Sequence, residues 1–387
     1  MNKFKLALII CIAVAMILTM AILPGCKTAT TAGTTAAPET VVVTETVIVK
    51  ETVEVEKQSP YTYEKLREMA KAGKYEGEPA KGHTLAFANF LASFPFCKSV
   101  EDSIKQQWKL AGGADSDLTV LDNAYDIGIA AQNTDIIFNK KPEVFLQFFF
   151  DSKFNAQTSR RATDLGIYCI AIDIPLPGFP FMGVDNYGTA ILTGNWAAEK
   201  IDAMGGIDKV DKIFLFYAPQ IGEVVFMRIL GSVDVMKEKY GAAGDPGDPT
   251  TGEKPEGSKA EWVLTGSTTD EAKAAFTDIL AKYPEAKSFV VFMGNDQTSA
   301  GVQAAADIAG RWDPNNWLIC SQGVDELGMQ LIRDGVVDGD SAYFPEKYGE
   351  YLVPGALAYM YGNPVQPYMY VDNVIITADN INDYYPQ

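Results

Sequence analysis

The sequence predicts an α/β protein of two doubly wound, parallel-sheet lobes. Three observations predict it. Short apolar runs rich in Val, Ile and Phe alternate with longer segments of helical periodicity, and such runs mark strands buried on both faces of a parallel sheet. The alternation comes in two series, separated by the Pro/Gly cluster I-D-I-P-L-P-G at Ile172–Gly178, which stops regular structure. The chain has 387 residues, 47% of them hydrophobic, enough for two such series with cores of their own.

The N-terminus reads differently. Met1–Lys5 is basic, Leu6–Leu23 is an apolar run, and Pro24-Gly25-Cys26 follows. This resembles a bacterial lipoprotein signal, in which Leu and two small residues precede Cys; Pro24 departs from the pattern. The resemblance implies a signal peptide over residues 1–25 and lipidation of Cys26. The alternative is an uncleaved anchor, because the apolar run is long enough to span a bilayer. Either places the remaining chain outside the cytoplasm. Residues 26–60 are low in complexity, and Glu and Lys interrupt their Val/Thr runs. They read as a tether, reaching about 30 Å as a loose coil and about 110 Å extended.

Residues 61–83 read as a short helix and a loop. Tyr63, Leu66, Met69 and Ala70 share one helical face, and Gly73 stops it. From Thr84 the first series begins. Strands are expected at Thr84–Asn89, Leu118–Asp122, Val144–Phe150 and Tyr168–Asp173, with helices at Lys98–Leu110, Gly128–Phe138 and Ala156–Leu165 between them. Phe181–Asp185 is a short crossing segment.

The second series starts with a helix at Tyr187–Met204. Strands follow at Lys212–Tyr217, Glu261–Thr265, Ser288–Met293, Trp317–Ser321 and Val337–Tyr343. Helices are expected at Val224–Tyr240, Asp270–Tyr283, Gln297–Ala309 and Val324–Asp334, then at Tyr348–Tyr361 before a final strand over Tyr368–Ile376. Gly241–Ser258 is a Gly/Pro/Asp loop. Strands joined through helices imply right-handed crossovers.

Composition excludes several functions. The formal charge is −18, and the first 25 residues contain Lys3 and Lys5 but no acid. Such a surface repels nucleic acid and anionic lipid. His83 is the single histidine, and the five cysteines form no C-x-x-C pair. The sequence therefore offers no metal set and no histidine triad. Cys97, Cys169 and Cys320 are an odd three and so do not describe a disulfide framework, and Cys169 and Cys320 fall in apolar strands, as buried thiols. No G-x-G-x-x-G or phosphate loop follows a strand, and no cofactor is expected.

Ligands of open α/β sheets collect at the carboxyl ends of strands. The stretch S-F-V-V-F-M-G-N-D, Ser288–Asp296, places Asn295 there. Asn295 either contacts a ligand or only caps the following helix.

With these elements in order, the chain from Thr84 to about Asp379 resembles a type I periplasmic binding protein of the ribose/galactose-binding branch, which serves sugar ABC transporters. The resemblance rests on F-x-x-x-N-D, x-I-D-x-P and their spacing over both series. It implies two lobes, 84–184 plus 344–371 and 185–343 plus 372–387, joined by a three-strand hinge with a ligand cleft between them. It implies ligand contacts from Asn89, Phe94, Phe96, Asp173, Arg228, Asn295, Gln322 and Tyr343. Aromatic rings suit the apolar face of a sugar, a carboxylate takes two adjacent hydroxyls, and a guanidinium fork binds ring oxygens. Each has a plainer alternative: inward packing for Phe96, a turn cap for Asp173, a surface position for Arg228. Ile174 stands where such proteins often carry Arg, Gln322 where Asp is usual, and Tyr343 where Gln is common. Phe148–Phe150 makes the third strand's end unusually aromatic.

The resemblance implies no catalysis. It implies a monomeric solute-binding lipoprotein that delivers a sugar or polyol-like ligand to an ABC transporter permease. A ligand sensor for a receptor or histidine kinase is the alternative. A glycosidase would need a second carboxylate about 5–10 Å from Asp173, and the sequence shows none.

Overall fold

The structure, a computed structural model, describes residues 59–386. The apolar leader, Cys26 and nearly all of the tether lie outside the described residues. Among the described residues no helix is long and apolar enough to cross a membrane.

Two six-stranded sheets organise the molecule. The first holds β1 (Leu85–Asn89), β2 (Leu118–Asp122), β3 (Val144–Gln147), β4 (Tyr168–Ile172), β5 (Phe181–Gly183) and β11 (Tyr368–Tyr370). Its order is β11-β5-β4-β3-β1-β2, and its pairs are parallel. The second holds β6 (Lys212–Tyr217), β7 (Ala260–Leu264), β8 (Phe289–Phe292), β9 (Trp317–Gly323), β10 (Gly339–Ala342) and β12 (Ile375–Ile376). Its order, β12-β10-β9-β8-β6-β7, repeats the winding of the first. Among the described residues only β12 pairs antiparallel, against β10. In each sheet the order reverses beside the first strand, β1 or β6, and the crevice beyond such a switch point collects ligands.

The chain passes between the sheets three times: after β5, after β10, and between β11 and β12. The last passage corrects the expected single strand over Tyr368–Ile376. Asn373 interrupts it, donating to Ala342 O at 2.8 Å and accepting from Thr189 Oγ1 at 2.9 Å. Those side-chain bonds pin the crossing to the end of β10 and split the run between the sheets.

Helices cover both sheets. The first lobe carries α2 (Pro95–Leu110), α3 (Ile127–Lys140) and α4 (Ser152–Leu165); the second carries α5 (Asn186–Ala203), α6 (Glu223–Tyr240), α7 (Thr269–Lys282), α8 (Asp296–Ile308) and α9 (Glu326–Arg333). A tenth long helix, α10 (Gly349–Met360), returns to the first lobe and packs on α2 and on the N-terminal α1 (Tyr63–Lys71). Arg67 of α1 lies 3.4 Å over the Tyr351 ring and pairs with Glu350 at 3.0 Å. The N-terminal helix is thus fastened to the body.

Element boundaries differ from expectation where the site is built. The third strand ends at Gln147 rather than Phe150. Beyond it, buried amides take the backbone carbonyls that a ladder would use: Asn123 donates to Phe148 O at 3.4 Å and Asn155 to Phe149 O at 2.9 Å. The second helix starts at Pro95, where Pro lacks only an N–H that the first turn leaves unpaired. Cys97, Cys169 and Cys320 are free and buried.

Candidate functional site

A cavity of about 110 Å³ lies where the carboxyl ends of both sheets face each other. The loops after β1, β3 and β4 supply one wall. The segments after β6, β8 and β9, with α6, supply the other.

Seven of the eight expected residues line this cavity: Phe94, Phe96, Asp173, Arg228, Asn295, Gln322 and Tyr343. Asn89 does not. It is fully buried, and its amide donates to Cys97 O at 3.2 Å and Glu101 Oε2 at 2.8 Å. It braces the first turns of α2 behind the phenylalanines instead of facing the cleft.

Asp173 is placed by backbone shape. Its φ is +55°, and its N–H donates to Met182 O at 2.9 Å. A non-glycine residue in this region is uncommon. The turn points both Asp173 and the adjacent Ile174 at the cavity, which an extended strand would not do. Asp173 Oδ1 accepts from Tyr348 Oη at 2.9 Å. Burial pushes the carboxyl up from 3.8 to about 6, against the opposing pull of Arg228 and the Tyr348 hydrogen bond.

Arg228 enters from α6. Its Nε donates to Asn186 Oδ1 at 2.7 Å and its Nη1 to Gly294 O at 3.3 Å. The guanidinium stands 4.9 Å over the Tyr343 ring. These contacts fix the plane of the fork while leaving donor positions for a ligand. Gln322 is held at both ends of its amide: it donates to Arg228 O at 2.7 Å and accepts from Tyr343 Oη at 2.5 Å, which leaves one N–H and one lone pair. It sets the positions of Arg228 and Tyr343.

Asn295 does what the capping alternative requires. Its Oδ1 accepts from Thr298 N at 2.9 Å, and its Nδ2 donates to Ser267 O at 3.0 Å. It also borders the cavity, so the cap and the wall are one residue.

The aromatic wall is larger than expected. Phe90 lies 5.6 Å from Phe148, 5.7 Å from Phe150 and 6.1 Å from Phe94. Phe96 meets Phe148, Tyr343 and Tyr348 at 6.4, 6.2 and 5.6 Å. Most of these pairs are edge-on, the arrangement that aromatic quadrupoles favour.

Sequence reasoning missed Asp325 and Tyr348. Asp325 caps α9, its Oδ1 accepting from Leu327 N at 2.9 Å and Gly328 N at 3.0 Å. Its Oδ2 accepts from Gln297 at 3.0 Å and from Phe96 N at 3.2 Å. Four donors commit this carboxylate to structure. Beneath it, Asp296 accepts from Asp325 N at 3.1 Å and Ser321 Oγ at 2.9 Å. Burial pushes the carboxyls of both Asp296 and Asp340 up from the usual carboxylate range, reinforced at Asp296 by the charge of Asp325 and at Asp340 by that of Asp296. Among the described residues no cluster of His, Cys, Asp or Glu is arranged to hold a metal ion.

Comparison with known proteins identifies the fold and the family. The family described as periplasmic binding protein domain matches residues 85–364. A solute-binding protein of an ABC transporter from Actinobacillus succinogenes, solved with D-allose, has a TM-score of 0.63 at 17% identity, over 78% of this chain and 100% of that one. A Bacillus halodurans solute-binding protein with myo-inositol gives 0.63 at 14%, over 80% and 98%. One from Mycobacterium smegmatis with glycerol gives 0.64 at 18%, over 79% and 97%. No curated protein sequence matches the chain. At these identities the structural likeness carries the fold, while the family match carries membership: this chain belongs to the periplasmic binding protein family.

Proposed function

We propose that this protein captures a small sugar or polyol-like solute between its lobes and delivers it to an ABC transporter permease. One observation carries the reading. Asp173 and Arg228, from opposite lobes, border one cavity beside the Phe94 and Phe96 rings. A carboxylate accepts hydroxyl protons, a guanidinium donates to ring and hydroxyl oxygens, and aromatic faces cover C–H surface. The solved relatives named above hold D-allose, myo-inositol and glycerol, which supports the ligand class.

The lobes in this reading are residues 84–184 plus 344–371 and 185–343 plus 372–387. Ligand bridges them and favours the closed form, which the permease recognises. The Asp173, Arg228, Asn295, Gln322 and Tyr343 side chains form the polar side. No group in the cavity is assigned a catalytic role. Cys26 carries the lipid, and residues 26–60 tether the body to the outer face of the membrane. The protein acts as a monomer.

The test is a thermal shift of the purified protein against pentoses, hexoses, polyols and nucleosides. Ligand that binds only the folded form raises the melting temperature, by the equivalent of about 2.7 kcal/mol at one hundred times Kd. A shift confined to sugars or polyols supports the reading. A shift with nucleosides alone, or none across the panel, contradicts it.

A further inference from the structure

The cavity is chemically divided. Asp173, Arg228, Asn295 and Gln322 lie in its wall, and so does a separate apolar group. Ile174, Ala218, Ile221 and Val225 form a small buried cluster of their own, with Phe150 packed against it. This cluster is distinct from the cores of the two sheets. Its members come from both lobes: Ile174 and Phe150 from the first, Ala218 and Ile221 from the segment between β6 and α6, and Val225 from the first turn of α6. The left-handed turn at Asp173 sets a carboxylate and an aliphatic side chain side by side on the same wall.

A solute hydroxylated on every face fits this wall badly. A hydroxyl turned toward Ile174, Ile221 and Val225 gives up its water and finds no partner among aliphatic carbons. A methyl or ring carbon placed there gains from burial instead. The half-buried rings of Phe90 and Phe150 extend the same surface.

Resting on the sugar-binding reading, we infer that the preferred ligand is a monosaccharide bearing an apolar aglycone, with the sugar at Asp173 and Arg228 and the aglycone against Ile174, Ile221, Val225 and Phe150. The division of the wall makes this apolar end a specificity-determining subsite. Free sugars occupy only the polar end.

The test is calorimetric titration of the full-length protein with matched pairs: D-glucose, D-galactose, D-ribose and D-allose, each beside its phenyl β-glycoside. The expected result is at least one phenyl glycoside binding tenfold or more tighter than its parent sugar. Val225→Thr, nearly isosteric, lowers that ratio several-fold, and Ile221→Thr does the same should Val225→Thr fail to fold. Parent sugars binding as tightly as their glycosides overturn the subsite while leaving sugar binding intact. An unchanged ratio in a folded Thr variant also overturns it, because the cluster is then only a contact between lobes. Absence of binding by every sugar and glycoside removes the sugar reading itself, and the subsite with it.

Discussion

The backbone N–H of Phe96 donates to Asp325 Oδ2 at 3.2 Å, from one lobe to the other. Phe96 lies in the first turn of α2, and Asp325 is the N-cap of α9. One carboxylate therefore serves the amino ends of two helices, where N–H groups are unpaired and the helix dipole favours negative charge. Val324 beside it has a φ of +56°, a costly conformation for a β-branched residue. The strained turn aims Asp325 at the opposite lobe.

Asp325→Asn tests this clasp. The amide retains one acceptor for α9 but cannot also accept from both Phe96 and Gln297. Ligand affinity is expected to fall about tenfold, and stability by about 1 kcal/mol from the hydrogen bonding lost at Phe96 and Gln297. Small-angle scattering of the free variant should show a larger radius of gyration. Unchanged affinity and unchanged dimensions would dismiss the clasp.

Asp173 makes the free protein sensitive to pH. Its carboxyl titrates near 3.8 when unfolded and about 6 when folded, because burial disfavours the charge. The folded state therefore binds the proton more tightly. This contribution to stability is full below about pH 4 and is lost as pH rises through about 6. Asp173→Asn removes it, so the variant gains on wild type by on the order of 1 kcal/mol between pH 5 and pH 7.5. Urea unfolding of both ligand-free proteins at the two pH values measures the difference. A pH-independent gap contradicts the buried, proton-retaining carboxyl.

Gly231 sets the distance between α5 and α6. A Cβ there would lie 2.5 Å from Tyr187 O and 2.7 Å from Ile191 N. Backbone cannot yield as a side-chain tip would. Gly231→Ala should destabilise the protein by about 1–3 kcal/mol. It should also weaken ligand binding, since Arg228, one turn away, loses its 2.7 Å bond to Asn186 as the helices part. Denaturant titration and calorimetry read the two effects. A neutral substitution would mean that the helices do not pack this closely.

Cys26→Ala is expected to abolish lipid attachment and release the protein from the membrane. Metabolic labelling with a fatty acid, followed by membrane fractionation, measures both. A membrane-bound variant that still carries its leader would favour an uncleaved anchor instead.

Much of the fold was legible because strands buried on both faces repeat a simple apolar pattern, as in I-F-L-F at Ile213–Phe216 and F-V-V-F at Phe289–Phe292. Local punctuation was legible too: Asn295 reads as a helix start and serves as one. What was not legible depended on partners far along the chain. Phe148–Phe150 continues the strand pattern, yet Asn123 and Asn155 hold its carbonyls and turn it into wall. Asn89 sits at a strand end like a ligand contact, but Glu101, twelve residues on, claims its amide. Asp325 shows an ordinary cap signal; its bond to Phe96 spans 229 positions and has no local trace. Ile174 and Val225 look like core residues, and only the meeting of the lobes makes them wall.

The central claim is that solute binds between the lobes and is held by Arg228. The most direct measurement is calorimetric titration of wild type and Arg228→Ala with a sugar or glycoside that raises the wild-type melting temperature. Wild type should bind one equivalent, and Arg228→Ala at least about thirtyfold more weakly, as expected for the loss of some 2 kcal/mol of charge-assisted hydrogen bonding. Its own melting temperature should stay within a few degrees of wild type. Equal affinity in the two proteins would contradict the account, because ligand would then be bound without the guanidinium that the account places on it.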